Sequence, residues 1–436
     1  MIVTVQEPKI VKPYVETPKE TLWTSNPDQL FRAHMPSVYF YRPDGSSNFF
    51  DASVLRDALS KVLVPFYPVA GRLRKNKSSG RLEIECNGEG VLFFEAYTKF
   101  VLDDLGDFEP GMELMQLIPR LSEGHDVFSS PLMLLQVTYF KCGGVSLGVA
   151  AQHTLLDGAS GTHFINSWAR TAQDLDVQIP PLLDRTVLLA RQPPTPCFPH
   201  VEHQPPPSIE STNQKPECQS SPKCTVVATF KISRHQINLL KAQCRDESNR
   251  ITFSTYEVLA GHIWRCASKA RGLSYEQETT LTIVVDGRTR LSPPLTFGYL
   301  GNAVFYLTAK ATSGDIVSNP LIYAVQKVHE TIVMADDKYL RSAIDYMELQ
   351  SDLLSLVKGP QCFGSPNLGF ISWCRMPIHD ADFGWGRPFY MGPGSVMHEG
   401  LAYLVPSPSN DGNLSFAMPL QSDSILLFKE YFFAFS

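Results

Sequence analysis

The sequence predicts an α/β protein made of two domains of related shape. Three observations carry this. At 436 residues the chain exceeds what one ordinary hydrophobic core organises. A strand–helix–strand order recurs in both halves. Between them the composition changes: Pro180-Pro181, Pro193-Pro194, Pro196, Pro199 and Pro205-Pro206-Pro207 lead into a polar tract over 208–223, the signature of a linker. The boundaries read as 1–178 for the first domain, 179–224 for a crossover linker and 225–436 for the second domain. Ser220 and Ser221 mark the point most open to protease.

Taken in order, residues 1–7 alternate like an edge strand. Leu55, Leu59, Val62 and Leu63 share a helical face, and Pro65 stops that helix. Residues 81–86 alternate as a half-exposed strand, with 91–94 expected as its buried partner. Residues 110–121 read as loop with a short helical piece. Two apolar runs, 131–140 and 145–150, flank the Gly-rich turn Lys141-Cys142-Gly143-Gly144 and read as a hairpin. Phe164, Ile165 and Trp168 then follow a helical period.

The second half restarts with a strand over 225–230 and a helix over 233–243, with Ser233 at its N-cap. A helix over 254–270 turns Tyr256, Leu259, Ile263 and Trp264 to one face. The buried strand 281–285 ends at Asp286-Gly287-Arg288. Helices over 319–335 and 336–356 follow, then strands over 368–373, 399–404 and 413–418, and a closing helix over 423–432.

Composition excludes several functions. Hydrophobic content of 43% and charged content of 19% describe a globular protein, and a net charge of −6 argues against a nucleic-acid binder. No apolar run reaches the 18 or so residues that a membrane span needs. The N-terminus lacks a signal peptide's basic start and apolar core. Nine scattered cysteines without a Cys-x-x-Cys pair suggest neither zinc nor a disulfide framework, so the expected compartment is the cytosol. The histidines are dispersed, with no His-x-x-x-His or His-Glu-x-x-His, which sets a metal hydrolase aside.

The chemistry centres on Gln152-His153-Thr154-Leu155-Leu156-Asp157-Gly158, where a buried strand ends and a helix begins. An imidazole so placed is held by rigid elements, can face a cleft, and takes a proton near neutral pH. Asp157-Gly158 before Ala159-Ser160-Gly161 is helix-start chemistry. The spacing alone is common, and a purely structural histidine would show the same letters. A second stretch, Asp382-Phe383-Gly384-Trp385-Gly386, changes the balance.

This pair, in this order and separation, resembles the BAHD family of plant acyl-CoA-dependent acyltransferases. Ser37-Val38-Tyr39-Phe40-Tyr41, Val64-Pro65-Phe66-Tyr67-Pro68, Cys86-Asn87-Gly88-Glu89-Gly90, Val285-Asp286-Gly287-Arg288 and Pro366-Asn367-Leu368-Gly369 extend the likeness over nearly the whole chain. They resemble its hydroxycinnamoyl-CoA shikimate/quinate hydroxycinnamoyltransferase branch. The resemblance implies two chloramphenicol-acetyltransferase-like α/β domains joined by a long crossover loop, an active-site channel between them, and part of 365–396 packed with the first domain. It implies a monomer and a coenzyme A thioester as co-substrate, with no permanently bound cofactor.

It also implies roles. His153 becomes the general base of a direct attack through one ternary complex. No acyl-enzyme is called for, and the Gly-x-Ser-x-Gly elbow is absent. Trp373, an indole N–H donor, becomes a candidate for the oxyanion, with a core tryptophan as the alternative. Asp382 could orient His153 or, as the family pattern favours, latch onto Arg290; Asp157 and Gly386 are structural support. Arg250, Ser254 and Thr255 at a helix start are candidates for coenzyme A phosphates, against the reading of a solvated charged face.

His34, Ser37 and Tyr39 match positions lining the acyl and acceptor pocket. Here the chain departs from its branch. Lys358 stands where shikimate-using members carry an arginine, and a point charge does not replace a planar fork. Ile371 stands where they carry a threonine, and Thr154 where many carry a second histidine. The expected reaction moves a p-coumaroyl or caffeoyl group to a hydroxyl of shikimate, quinate or a related acceptor. The alternatives are a benzoyl donor, another hydroxy-acid or amine acceptor, or, from a different class, a non-catalytic binding protein, which the intact His153 disfavours.

Overall fold

A computed structural model describes residues 1–121, 124, 126–209, 224–245 and 251–435. Sixteen strands occur among them: β1 (Val3–Val5), β2 (Lys9–Val11), β3 (Thr21–Leu22), β4 (His34–Tyr41), β5 (Arg72–Lys75), β6 (Leu82–Glu85), β7 (Val91–Thr98), β8 (Met133–Phe140), β9 (Val145–Gln152), β10 (Thr225–Ile232), β11 (Glu278–Asp286), β12 (Val304–Thr312), β13 (Leu368–Ser372), β14 (Tyr390–Pro393), β15 (Leu401–Pro406) and β16 (Leu414–Gln421).

The first sheet runs β1-β7-β8-β9-β4-β14, with β2 also on β7. β8 and β9 form the expected hairpin. Gly143 takes φ +81° at the turn, and a Cβ on Gly144 would lie 2.2 Å from Leu102 Cδ1. The second sheet runs β10-β16-β15-β13-β11-β12. β14, from the second half of the sequence, pairs antiparallel along β4, Met391 opposite Tyr39 and Gly392 opposite Val38. The halves are thus stitched by main-chain hydrogen bonds.

One expected pairing is corrected. β7 does not partner β6; it pairs with β8, β1 and β2, while β6 lies between β3 and β5 in a small separate sheet. Gly88 and Gly90, at φ +69° and +95°, redirect the chain between them. The helix expected over 336–356 is also shorter, Asp337–Glu348, followed by a 3₁₀ turn over Leu353–Leu356. The tract 208–223 falls outside the described residues after position 209, Ser220 and Ser221 included.

Each sheet buries its own core. Trp264, Phe370, Phe416, Phe428 and Phe432 pack on one face of the second sheet. Tyr39, Tyr41, Phe50, Phe164 and Trp168 pack in the first. Trp168 Nε1 donates to the Leu55 carbonyl at 2.9 Å, tying helix Gly158–Ala172 to helix Ala52–Val62. The second sheet carries another apolar cluster, with Ile371, Trp373, Val396, Tyr403 and Ala417, away from its main core. Trp373 also packs against the first-sheet core, so this cluster lies between the halves.

Candidate active site

β9 ends at Gln152 and helix Gly158–Ala172 starts after Asp157, so His153 sits on the loop between them. The loop is pinned from several sides. His153 N–H donates to Ala33 O at 3.0 Å, and Leu155 N–H to Gln152 O at 3.0 Å. Asp157 caps the helix, accepting from Ser160 N at 2.9 Å. Its carboxylate turns away from the imidazole into a bidentate pair with Arg288: Nη1 to Oδ2 at 2.8 Å, Nη2 to Oδ1 at 2.9 Å. Ala303 N–H adds a bond at 3.0 Å. Both side chains are buried. Burial pushes the Asp157 carboxyl up, yet Arg288 and the backbone donors outweigh it and hold it below the ordinary range.

The arginine of this latch is a correction. Arg290 was expected to hold Asp382, but Arg290 Nη1 donates to Ile332 O and Ala335 O, both at 2.8 Å, at the C-terminus of helix Leu321–Met334. After β11 ends, Arg290 N and Leu291 N bond back to Gly287 O at 3.0 and 2.9 Å. This turn sends Arg288 and Arg290 in different directions. Asp382 folds into its own loop, where Oδ1 accepts from Gly384 N at 2.8 Å and Gly386 N at 2.9 Å. Gly384 and Gly386 take φ +99° and +98°, a backbone conformation that favours glycine. Phe383 anchors the loop, edge-on to Trp168 at 4.8 Å.

Around His153 the structure gathers several predicted residues. His34 pairs with Gln152 in the β4–β9 register, one residue from His153, and its Nε2 meets Pro131 O at 2.8 Å. By strand alternation Ser37 and Tyr39 point to the opposite face of β4. Tyr39 is 2% exposed and belongs to the core, which takes it out of an open pocket. Phe31 stacks on the His153 ring at 4.0 Å and 14°. Tyr306 lies 5.9 Å from Phe31, and the Lys358 ammonium 5.7 Å from the Tyr306 ring. A continuous row thus runs from His153 to Lys358.

Ile371 and Trp373 share a face at the end of β13, opposite the core residues Leu368 and Phe370. Ile371 is in register with Tyr403, and Trp373 meets Tyr403 edge-on at 5.6 Å. Trp373 is half-buried, between this cluster and the core of the first sheet. Beside them on the same sheet, Thr280, Thr282, Thr308 and Lys310 line a recess with Lys358 and Glu202.

The coenzyme A candidates fare differently. Arg250 lies outside the described residues. Ser254 is committed to a capping box with Glu257, and Glu257 also holds His329 at 2.8 Å. A carboxylate in that first turn disfavours a phosphate at Ser254 and Thr255, contrary to expectation.

Comparison with known proteins decides the family. A profile described as "Transferase family" matches residues 1–434. The chain is 53% identical to a shikimate O-hydroxycinnamoyltransferase of Nicotiana tabacum over 436 residues, 100% of each. The chain belongs to this family, the BAHD acyltransferases.

This acyltransferase is also 49% identical, over 99% of each chain, to a hydroxycinnamoyltransferase of Narcissus pseudonarcissus. It is 48% identical, over 99% of each, to a hydroxycinnamoyl-CoA:5-hydroxyanthranilate N-hydroxycinnamoyltransferase of Avena sativa. Vinorine synthase shares the fold, with a TM-score of 0.74 at 22% identity over 98% of this chain and 96% of that one. The acyltransferase takes its acyl group from a coenzyme A thioester. Among the described residues no helix is long and apolar enough to cross a membrane.

Sequence reasoning missed four residues that build the site. Arg288 was hidden by Arg290 two positions on. Asp28, Arg185 and Asn302 lie far apart in the chain, yet Arg185 Nη1 pairs with Asp28 Oδ2 at 2.9 Å, and Arg185 Nη2 donates to Leu155 O at 2.6 Å. Asn302 bonds both Asp28 and the His153 carbonyl. No local spacing announces such contacts.

Proposed function

We propose that this acyltransferase moves a hydroxycinnamoyl group, p-coumaroyl or caffeoyl, from coenzyme A to a hydroxyl of shikimate, quinate or a related acceptor. His153 takes the acceptor's proton as the hydroxyl attacks the thioester carbonyl, and the Trp373 indole N–H faces the oxyanion that develops. Breakdown of that intermediate releases coenzyme A without an acyl-enzyme. The carrying observation is the His153 loop, fixed by Asp157 and Arg288, together with an apolar wall at Ile371, Trp373 and Tyr403 on the second sheet and a cation at Lys358 lining a recess of that sheet. An aryl acyl group suits the wall; an acceptor carboxylate suits the cation.

A second acceptor class, an aromatic amine, has support in Lys358 and Ile371, which stand where the resemblance places the arginine and threonine of shikimate users, and in the reaction that names the Avena relative. The test is purified protein with p-coumaroyl-CoA and a panel of shikimate, quinate, smaller hydroxy acids and 5-hydroxyanthranilate, products read by mass spectrometry. An ester with shikimate or quinate supports the first reading. An amide alone supports the second, and no coumaroyl product from any acceptor overturns both.

The reading also takes the enzyme as a cytosolic monomer, in keeping with its eight free cysteines among the described residues. Light scattering at twice the chain mass, or a fluorescent fusion outside the cytosol, would contradict it.

A further inference from the structure

Asn302 stands just before β12, next to the Asp157 latch at Ala303. Its backbone N–H and its Nδ2 each donate to Asp28 Oδ1 at 2.8 Å, and Nδ2 also donates to the His153 carbonyl at 2.7 Å. Asp28 is held in turn by Arg185, and Asp28, Arg185 and Asn302 are 0%, 2% and 0% exposed. A carboxylate and a carbonyl accept only, so the donating end of this amide is fixed. The remaining end, Oδ1, is buried without a hydrogen-bond partner among the described residues. His153 Nδ1 is in the same condition. Two orphaned buried atoms on side chains already joined through the His153 carbonyl would be satisfied together by one N–H···O bond.

We propose that Asn302 Oδ1 accepts a hydrogen bond from His153 Nδ1–H and so holds the neutral imidazole in the tautomer whose Nε2 lone pair is free for the acceptor's proton. Asn302 is then a positioning residue, and Asp28 with Arg185 forms the base on which it is set. The inference rests on the reading of His153 as general base. Apo sites commonly hold such bonds long or misaligned until substrate tightens them. The balance around His153 agrees: burial lowers its pKa most, Asp157 opposes this, and the Asn302 side chain and the histidine's own carbonyl also raise it. That carbonyl is the rival partner for Nδ1–H. Of the charged groups nearby, Asp157 is tied to Arg288 and Asp28 to Arg185, so both anions are internally balanced.

The experiment combines ring-nitrogen NMR of selectively labelled enzyme with kinetics of Asn302→Ala. In wild type above the His153 pKa, the proton is expected on Nδ1, with a coupling across the hydrogen bond to Asn302 Cγ. Asn302→Ala should lower kcat about 10²-fold. It should leave both KM values within about two-fold and move the acidic limb of kcat/KM to lower pH, since a group that raises the pKa is gone. A proton on Nε2 in wild type overturns the proposal, as does coupling to the histidine's own carbonyl alone. So does Asn302→Ala with wild-type kcat and tautomer. The wild-type spectra decide even where the variant does not fold. His153→Ala run alongside separates the two readings: an active His153→Ala enzyme removes the base itself, whereas an inactive one beside a normal Asn302→Ala enzyme removes only Asn302.

Discussion

At the scale of single residues the chemistry narrows to one imidazole. His153 is half-buried and stacked on Phe31, and desolvation depresses its pKa below the usual 6.5 despite the nearby Asp157. The neutral, proton-accepting form therefore persists to lower pH than in a free histidine. The expected kcat/KM profile rises with pH on a limb centred below the ordinary histidine value of 6.5. A limb centred above 7 would contradict the burial argument. His153→Ala should keep the fold and lower turnover about 10²–10⁴-fold. Near-normal turnover on saturating substrates would remove His153 from the role. The placement of His153 after a strand and of Asp157 as a helix cap was legible because a strand end, a cap residue and a glycine lie within seven residues. Asn302 was not, because its contacts to Asp28 span 274 positions and depend on how the halves meet.

Elements decide what the two motifs are for. The strand–turn–helix at His153 and the turn after β11 meet through Asp157 and Arg288, and this pair, buried and bidentate, joins the two halves. Removing one partner leaves an unpaired buried charge, a loss of about 3–5 kcal/mol. Arg288→Ala should therefore lower the melting temperature and soluble yield sharply. Asp382→Ala, from a loop where the carboxylate accepts from the Gly384 and Gly386 N–H groups, should cost nearer 0.5–1.5 kcal/mol per bond lost. Differential scanning fluorimetry on both variants and on Arg290→Ala ranks them. If Asp382→Ala unfolds the protein while Arg288→Ala does not, the latch has been misassigned. Sequence favoured Arg290 because Asp-Gly-Arg-Thr-Arg offers two arginines, and only the backbone turn shows which one faces the helix start. β14 was silent for a related reason: Tyr390–Pro393 contains a glycine and a proline and is a strand only because β4 lies beside it.

Over the whole molecule, the two-half α/β architecture was readable from length, linker composition and recurring element order, while the recess on the second sheet was not. That recess is lined by Lys358 on a loop and Thr282 on β11, and Thr282 pairs with Gly369, two residues before Ile371 on β13. Lys358 is half-buried and burial lowers its pKa, with Cys362 and Glu202 opposing, so its charge is partly engaged before any acceptor arrives. A lysine contact is also less directional than an arginine fork. An acceptor hydroxyl facing Ile371 forgoes a bond of about 0.5–1.5 kcal/mol, more if it stays buried. The native enzyme should therefore use shikimate weakly, seen mainly as a raised KM, and tolerate other acceptors. Lys358→Arg with Ile371→Thr should improve shikimate efficiency by more than the two single changes combined, because both groups hold one ligand. Steady-state kinetics on the four proteins, with p-coumaroyl-CoA saturating, measures the coupling. Efficient native use of shikimate together with no gain in the double variant would mean that the acceptor is held by other groups, with Thr280, Thr308 and Lys310 of the recess the next residues to exchange.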